Sequence, residues 1–343
     1  MKNKRKIIFS VLLVLGMAIV VIFFAKRNDR AVTKSLFAMD TYMEITAYGY
    51  RSEEAVDAAV KEIERLDALL STGSDSSEIV MLNRDKTKNV SEDTAYLIKR
   101  SMELWQLTGG AFDITIYPVM RAWGFAGGEY RVPGETELAA LLKHVDASGL
   151  QFDAEGNRLT MPEDVEIDFG GIAKGYTSDR VAQICKEYGI KSAKLNLGGN
   201  VQTVGAKPDG SKWRIAIRNP YGTESYLGVI SVENKAVITS GGYERYFEED
   251  GNIYHHIIDP KTGRPAENGL VSVTIVSEDG TLADGLSTSL YVMGKDEAIA
   301  YWREHHDEFD AVLLDDAGTL YVTEGVRDCF TSEWGYEIIS YKE

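Results

Sequence analysis

Apolar side chains recur at helical spacing in three segments of the chain. Residues 52–70 carry seven of them at intervals of three and four, and residues 91–107 and 135–144 show shorter versions of the pattern. Ser52 and Ser91 precede the first two apolar runs and are the residue type preferred at helix N-caps. The pattern therefore predicts three amphipathic helices in the first half of the chain.

A different pattern begins near residue 165, where short apolar segments alternate with turns. Residues 165–168 read as the end of a strand, glycines follow, and residues 172–188 read as a helix. The irregular alternation with hairpin-like strand pairs predicts an α+β fold, with mixed sheets flanked by helices. The remaining predicted elements are strands at 194–197, 213–217, 236–239, 254–258, 270–276, 311–314 and 319–322 and helices at 282–292 and 296–304.

The N-terminus carries an apolar segment at residues 7–24, interrupted only by Ser10 and Gly16 and preceded by four Lys and Arg residues within residues 1–6. Its 18 residues are just enough to span the hydrocarbon core of a bilayer. The positive-inside rule then places residues 1–6 in the cytoplasm and the body outside it. A cleaved signal peptide is the alternative, but no small-x-small cleavage site follows the segment, which favours an uncleaved anchor. Residues 25–35 read as a linker and residues 36–343 as a single large domain.

Charge and cysteine content exclude several classes of function. The chain of 343 residues has a formal net charge of −16, and an acidic surface repels a phosphate backbone, which argues against nucleic-acid binding. The two cysteines, Cys185 and Cys329, form no CxxC and no Cys/His cluster, so a zinc site is not expected. Whether the two cysteines pair with each other stays open.

Three motifs carry residue types suited to phosphate chemistry. A glycine turn at residues 168–176 leads into a helix N-terminus, which attracts anions. Asp284 and Thr288 are one helical turn apart, so their oxygens share a face and suit a magnesium ion. A histidine ordinarily titrates near neutrality, so His256 is a candidate general base. Each motif alone also has a structural explanation, as a capped turn, a helix cap or a strand histidine.

Taken together and in this order, the motifs resemble the ApbE family of flavin transferases. The resemblance runs from Met39 to about residue 340, and the His-Ile-Ile-Asp-Pro-Lys-Thr-Gly-Arg-Pro run at residues 256–265 is its most specific part. It implies an ApbE-like, T-fold-like catalytic domain. It also implies transfer of FMN from FAD to a threonine or serine hydroxyl of a partner flavoprotein, with magnesium as cofactor and release of AMP.

The resemblance also assigns roles to individual residues. His256 falls at the position of the family's base, and Ser287 replaces an aspartate that some members carry near the metal, which leaves one charge fewer there. The positions that correspond to magnesium ligands are Gly171, through its carbonyl, Asp284 and Thr288. The positions that correspond to FAD contacts are Met39, Ala111, Phe112, Asp113, Asp168, Lys174 and Ile258.

Two other functions fit the same residues. An FAD pyrophosphatase would use water in place of the protein hydroxyl and give free FMN and AMP. A non-catalytic flavin-binding protein outside the cytoplasm would bind FAD without cleaving it. The transferase is the preferred interpretation, acting at the cell membrane with its catalytic domain on the extracytoplasmic side.

Overall fold

The computed structural model describes residues 30–222 and 225–342. The predicted membrane segment at residues 7–24 lies outside these ranges. Within them, no helix is both long enough and apolar enough to cross a membrane.

A mixed sheet of nine strands within the described ranges forms the centre of the fold, in the order β1-β2-β6-β7-β10-β15-β16-β17-β19. Neighbouring strands run antiparallel except β17 and β19, which are parallel. The strands are β1 Ala31–Ala38, β2 Thr41–Tyr48, β3 Thr87–Asn89, β4 Gln151–Asp153, β5 Arg158–Thr160, β6 Ser192–Leu197, β7 Asn200–Val204, β8 Trp213–Arg218, β9 Tyr226–Val232, β10 Ala236–Gly241, β11 Tyr246–Glu249, β12 Asn252–His255, β13 Ile258–Asp259, β14 Arg264–Pro265, β15 Leu270–Ser277, β16 Phe309–Asp315, β17 Leu320–Thr323, β18 Phe330–Thr331 and β19 Tyr336–Ile339.

Helices cover the sheet and bury its apolar face. They are α1 Ser52–Leu70, α2 Glu78–Asp85, α3 Glu92–Leu107, α4 Tyr117–Ala122, α5 Glu135–Leu141, α6 Ala173–Glu187, α7 Gly280–Met293 and α8 Lys295–Glu304. Helix α1 packs on β1 and β2, and α7 packs on β10 and β15. The α+β class with mixed sheets and flanking helices is confirmed.

Smaller sheets extend this centre. Strands β18, β9 and β8 form a three-stranded sheet, and β11 pairs with β12 in a hairpin. Cys185 is buried beneath α1 and Cys329 belongs to a separate apolar cluster beside β8 and β9, so the two remain free thiols.

Several predicted boundaries differ from the structure. Strand β1 begins at Ala31, inside the segment read as a linker, so the folded body starts before residue 36. Ser52 is the first residue of α1 and not its N-cap, a position that Arg51 occupies without a side-chain hydrogen bond. The predicted strand at 254–258 is interrupted between β12 and β13, and His256 lies in that interruption.

Residues 165–168 belong to no strand or helix, so their prediction as a strand end is wrong. The side-chain amide of Asn83 donates to the carbonyl of Ile167 at 2.8 Å and accepts from its N–H at 2.8 Å. These two bonds satisfy the main-chain groups of Ile167 in place of the pairing that a neighbouring strand would supply.

Helices α6 and α7 cross at unusually close range, and this contact builds the site. A Cβ atom on Gly175 would lie 2.2 Å from the carbonyl oxygen of Gly280 and 2.6 Å from the Cβ of Asp284. Asp179 of α6 accepts hydrogen bonds from the N–H groups of Gly280 at 2.9 Å and Thr281 at 2.8 Å. The first turn of α7 is therefore fixed on α6, one turn before Asp284.

The Gly175→Ala variant is expected to be less stable than the wild type by about 3 kcal/mol, because the added methyl group meets rigid backbone. Urea denaturation followed by circular dichroism measures this difference. Gly134→Ala is the matched control, since a Cβ at Gly134 meets nothing within 4 Å. Equal stability of the two variants would contradict the role given to the crossing.

Candidate active site

A cavity of about 870 Å³ opens beside the α6–α7 crossing. Its volume lies in the range of small-molecule and cofactor sites. All eleven residues that the sequence singled out as site residues line it, although they come from positions spread over 250 residues of the chain. They are Met39, Ala111, Phe112, Asp113, Asp168, Gly171, Lys174, His256, Ile258, Asp284 and Thr288.

Asp284 is a buried carboxylate whose two oxygens are both held in place. Its Oδ1 accepts from the side-chain amide of Asn200 at 2.9 Å, and its Oδ2 accepts from the N–H of Gly175 at 2.8 Å. Gly175 lies in the first turn of α6, where N–H groups have no partner within the helix. One N–H group of the helix terminus that was predicted to attract phosphate is therefore already hydrogen-bonded to a carboxylate from α7.

Burial raises the pKa of Asp284, and the Lys174 ammonium is the largest influence that opposes this rise. Since only neutral groups donate to the carboxylate directly, a cation in the cavity would stabilise its ionised form.

Hydroxyl groups surround the next turn of α7. The Ser240 hydroxyl on β10 lies 2.8 Å from that of Ser287 and 3.3 Å from that of Thr288. Ser287 Oγ also donates to the carbonyl of Asp284 at 2.8 Å. These contacts fix the Thr288 hydroxyl on the cavity side of α7, one turn after Asp284.

The donor set around Asp284 suits a hard cation. Among the described residues, no group of three or more His, Cys, Asp or Glu side chains is placed to hold a metal ion. Oxygen atoms that line the cavity include the Asp284 carboxylate, the Thr288 hydroxyl and the Gly171 main chain. Oxygen ligands of low total charge, completed by water or ligand phosphate, are the arrangement that magnesium favours.

His256 is oriented by one main-chain carbonyl. The carbonyl oxygen of Arg245 accepts from the His256 N–H at 3.0 Å and lies 3.1 Å from His256 Nδ1. Because a carbonyl can only accept, Nδ1 carries the proton in this contact and Nε2 keeps its lone pair. The imidazole is therefore in the tautomer that a general base needs.

The surroundings of His256 also keep it neutral. Burial lowers its pKa to about 4, and the Lys174 and Arg245 cations add to the effect. Its neighbour His255 does not line the cavity, and its ring packs against Tyr291 with centroids 5.6 Å apart.

The glycine turn before α6 lines another wall. Asp168 Oδ1 accepts from the N–H of Gly170 at 2.6 Å, and burial raises the pKa of Asp168 to about 6. A Cβ on Gly171 would lie 3.0 Å from the ring of Phe112, so glycine at this position lets the main chain approach the aromatic wall.

The Asp113 carboxylate and the Met39 main-chain N–H both form hydrogen bonds within the protein. The Asp113 carboxylate accepts from Thr115 N at 2.8 Å and from Ala147 N at 3.1 Å, which holds the turn that carries Ala111 and Phe112. Met39 lies in a left-handed turn with φ 48°, and its N–H donates to Asp67 Oδ1 at 3.0 Å. Both residues therefore shape the cavity wall through their turns.

Two cationic side chains in the cavity wall were not predicted. Arg218 lies at the end of β8, and Arg245 directly precedes β11 and donates through its guanidinium to the carbonyl of Phe125. The alternation along β8 places Arg218 on the exposed face of this strand. Only the tertiary structure shows that the residue borders the cavity.

Comparisons with known proteins agree with this geometry. The sequence model of the ApbE family matches residues 39–313. Two relatives named FAD:protein FMN transferase are similar to the chain. The one from Vibrio cholerae is 38% identical over 69% of this chain and 73% of its own length, and the one from Haemophilus influenzae is 33% identical over 74% and 76%.

Solved structures show the same fold. The crystal structure of the ApbE protein from Thermotoga maritima superposes with a TM-score of 0.82 at 33% identity, covering 88% of this chain and 99% of that one. The apo form of the flavinyl transferase ApbE from Pseudomonas stutzeri superposes with a TM-score of 0.79 at 28% identity, covering 89% and 98%. Because the family model spans most of the chain and the cavity gathers the residues that carried the resemblance, the chain belongs to the ApbE family.

Proposed function

We propose that this chain is an FAD:protein FMN transferase, which moves FMN from FAD to a threonine or serine hydroxyl of a partner protein and releases AMP. The observation that carries the proposal is the arrangement of His256 in the cavity. A neutral imidazole with its Nδ1 proton held by a carbonyl presents Nε2 as a base in the same cavity as Asp284 and Thr288. The relatives that share these features are named for this reaction.

The reaction balances with these groups. The oxygen of the acceptor hydroxyl forms a bond to the FMN phosphorus, and the bond from that phosphorus to the bridging oxygen of AMP breaks. The hydroxyl proton passes to His256 Nε2, and AMP leaves with the electron pair of the broken bond. Lys174 places a positive charge that acts on both His256 and Asp284, where it attracts the phosphates and disfavours protonation of the imidazole.

We assign magnesium to Asp284, Thr288 and the Gly171 carbonyl, whose oxygens fit its chemistry. When bound, the ion neutralises charge on the phosphates and on the leaving AMP. The chain contributes the orientation of the ligands, through Asn200 and Gly175 on Asp284 and through Ser240 on Thr288.

Mass spectrometry of an intact flavoprotein acceptor, incubated with the chain, FAD and magnesium, tests the proposal. A mass gain equal to FMN through a phosphoester, with AMP in equal amount, is the expected result. Free FMN and AMP without an adduct would instead assign the chain as an FAD pyrophosphatase. FAD that stays intact would show a binding protein without catalysis.

The pH profile follows from His256. Because burial lowers the pKa of this histidine to about 4, its base form persists well below neutrality. The profile is taken in the Asp168→Asn variant, which removes the titration of that cavity carboxyl near pH 6. At saturating magnesium, which keeps Asp284 ionised, the transfer rate is expected to stay level from about pH 8 to pH 5 and to fall by half near pH 4. Initial rates of AMP release measure this profile. A midpoint near 6.5, the ordinary value for histidine, would contradict the buried neutral base.

We also propose that residues 7–24 anchor the enzyme in the membrane, with the catalytic domain on the extracytoplasmic side. The apolar length of the segment and the preceding cations support this placement. The full chain is expected to stay in the membrane fraction after a carbonate wash. A chain that starts at residue 30 is expected in the soluble fraction. External protease should digest the body in spheroplasts. A full chain that washes off, or one protected from the protease, would contradict the proposal.

A further inference from the structure

Asn200 is a buried amide that contacts none of the reacting groups assigned above but touches the proposed metal ligand. Its side chain is 4% exposed, and Nδ2 donates to Asp284 Oδ1 at 2.9 Å. Asn200 begins β7 and bonds the carboxylate oxygen that the Gly175 N–H does not. The carboxylate is thus held between a strand and a helix terminus: Asn200 donates to Oδ1, Gly175 donates to Oδ2, and the main chain of Lys174 also contributes on the helix side.

The turn before Asn200 is built to keep this amide in place. Gly198 and Gly199 have φ values of 65° and 96°, which side chains rarely adopt. A Cβ on Gly198 would lie 2.4 Å from the side chain of Thr41, and the Gly199 N–H donates to Asn196 Oδ1 at 2.9 Å. The position of Asn200 is therefore set by the packing of this turn against the β1–β2 hairpin.

We propose that Asn200 is a positioning residue for magnesium: its amide fixes the rotation of the Asp284 carboxylate so that a lone pair of each oxygen faces the cavity. This inference rests on the proposed function, because it takes Asp284 as the metal ligand. A carboxylate oxygen can accept one hydrogen bond and still coordinate a cation with its other lone pair. Donors that orient metal ligands in this way commonly change metal affinity by 10- to 100-fold when removed.

A positioning role for Asn200 predicts a different result from a purely structural role. Without Asn200, only the main chain at the start of α6 would hold the Asp284 carboxylate, which could then rotate more freely about its Cβ–Cγ bond, so the ion would meet a mixture of orientations. The loss is therefore expected in magnesium affinity, while FAD binding and the rate at saturating magnesium are largely kept.

Calorimetric titration of Mg²⁺ into FAD-free wild type and Asn200→Ala tests the proposal. The variant is expected to bind Mg²⁺ about 10- to 100-fold more weakly. The Mg²⁺ concentration for half-maximal AMP release should rise by a similar factor. Asn219→Ala is the matched control, since Asn219 is another buried amide, and it donates to Ser225 Oγ at 2.8 Å in a different loop. Circular dichroism reports whether each variant is folded.

Equal Mg²⁺ affinity in wild type and Asn200→Ala would overturn the inference, and so would a weakening of the same size in Asn219→Ala. A lower rate at saturating Mg²⁺ with unchanged Mg²⁺ affinity would also overturn it. Failure of the proposed function is separate, because it would appear in the wild type itself as FAD that yields no AMP and no protein adduct.

Discussion

The Asp284→Ala variant is expected to lose FMN transfer by about 10³-fold or more, because a metal acting on phosphoryl oxygens supplies several kcal/mol of charge stabilisation. Asp284 is the single carboxylate among the three groups assigned to magnesium, so no other negative charge in that set would replace it. AMP release from FAD at a fixed magnesium concentration measures the effect.

The matched control lies on the same helix. Asp279 caps α7 by accepting from the Leu282 N–H at 2.8 Å, and it forms an ion pair with Arg100 at 3.2 Å. Asp279→Ala should lower the free energy of unfolding by about 1 kcal/mol while magnesium-dependent activity is retained. Undiminished activity of Asp284→Ala at low magnesium would remove the metal assignment.

The His256→Ala variant is expected to keep FAD binding and to lose transfer by about 10²- to 10⁴-fold, the contribution of a positioned general base. The imidazole presents Nε2 to the cavity but supplies only one of the many surfaces that line it, so the flavin keeps most of its contacts. Equilibrium dialysis of FAD at low magnesium measures binding, and mass spectrometry of the acceptor measures transfer.

His255→Ala provides the comparison, because the neighbouring ring packs on Tyr291 outside the cavity. This variant should retain transfer and lose some stability. If His256→Ala failed to bind FAD, the histidine would be a ligand contact and the base would have to be sought elsewhere in the cavity.

Local patterns were sufficient where neighbouring residues decide the outcome. The helical periodicity at residues 91–107 and the Ser91 cap correspond to α3, whose N-cap accepts from the Thr94 N–H. Burial of one face of a helix is a property of residues three and four apart, so it is visible in the sequence. The same reasoning failed at residues 165–168, because strand pairing needs a partner that no local pattern specifies.

Identifying the site residues needed more than periodicity, and the ordered set of motifs supplied it. Asp284 and Thr288 share a helix face by spacing alone, but nothing local relates them to His256. The family resemblance joined them, and the structure places all three on one cavity.

The sequence by itself determined the α+β class and the longer amphipathic helices, because these follow from residue type and short-range spacing, and its ordered motifs pointed to the side chains that line the cavity. The tertiary structure alone decided how those side chains are held. Asn200 contacts Asp284 from 84 positions away in the chain, and Gly175 contacts Asp284 from 109 positions away. The tautomer of His256 depends on the carbonyl of Arg245, across a hairpin. Such contacts depend on how helices cross and strands pair at long range, and that information is absent from any single stretch of the chain.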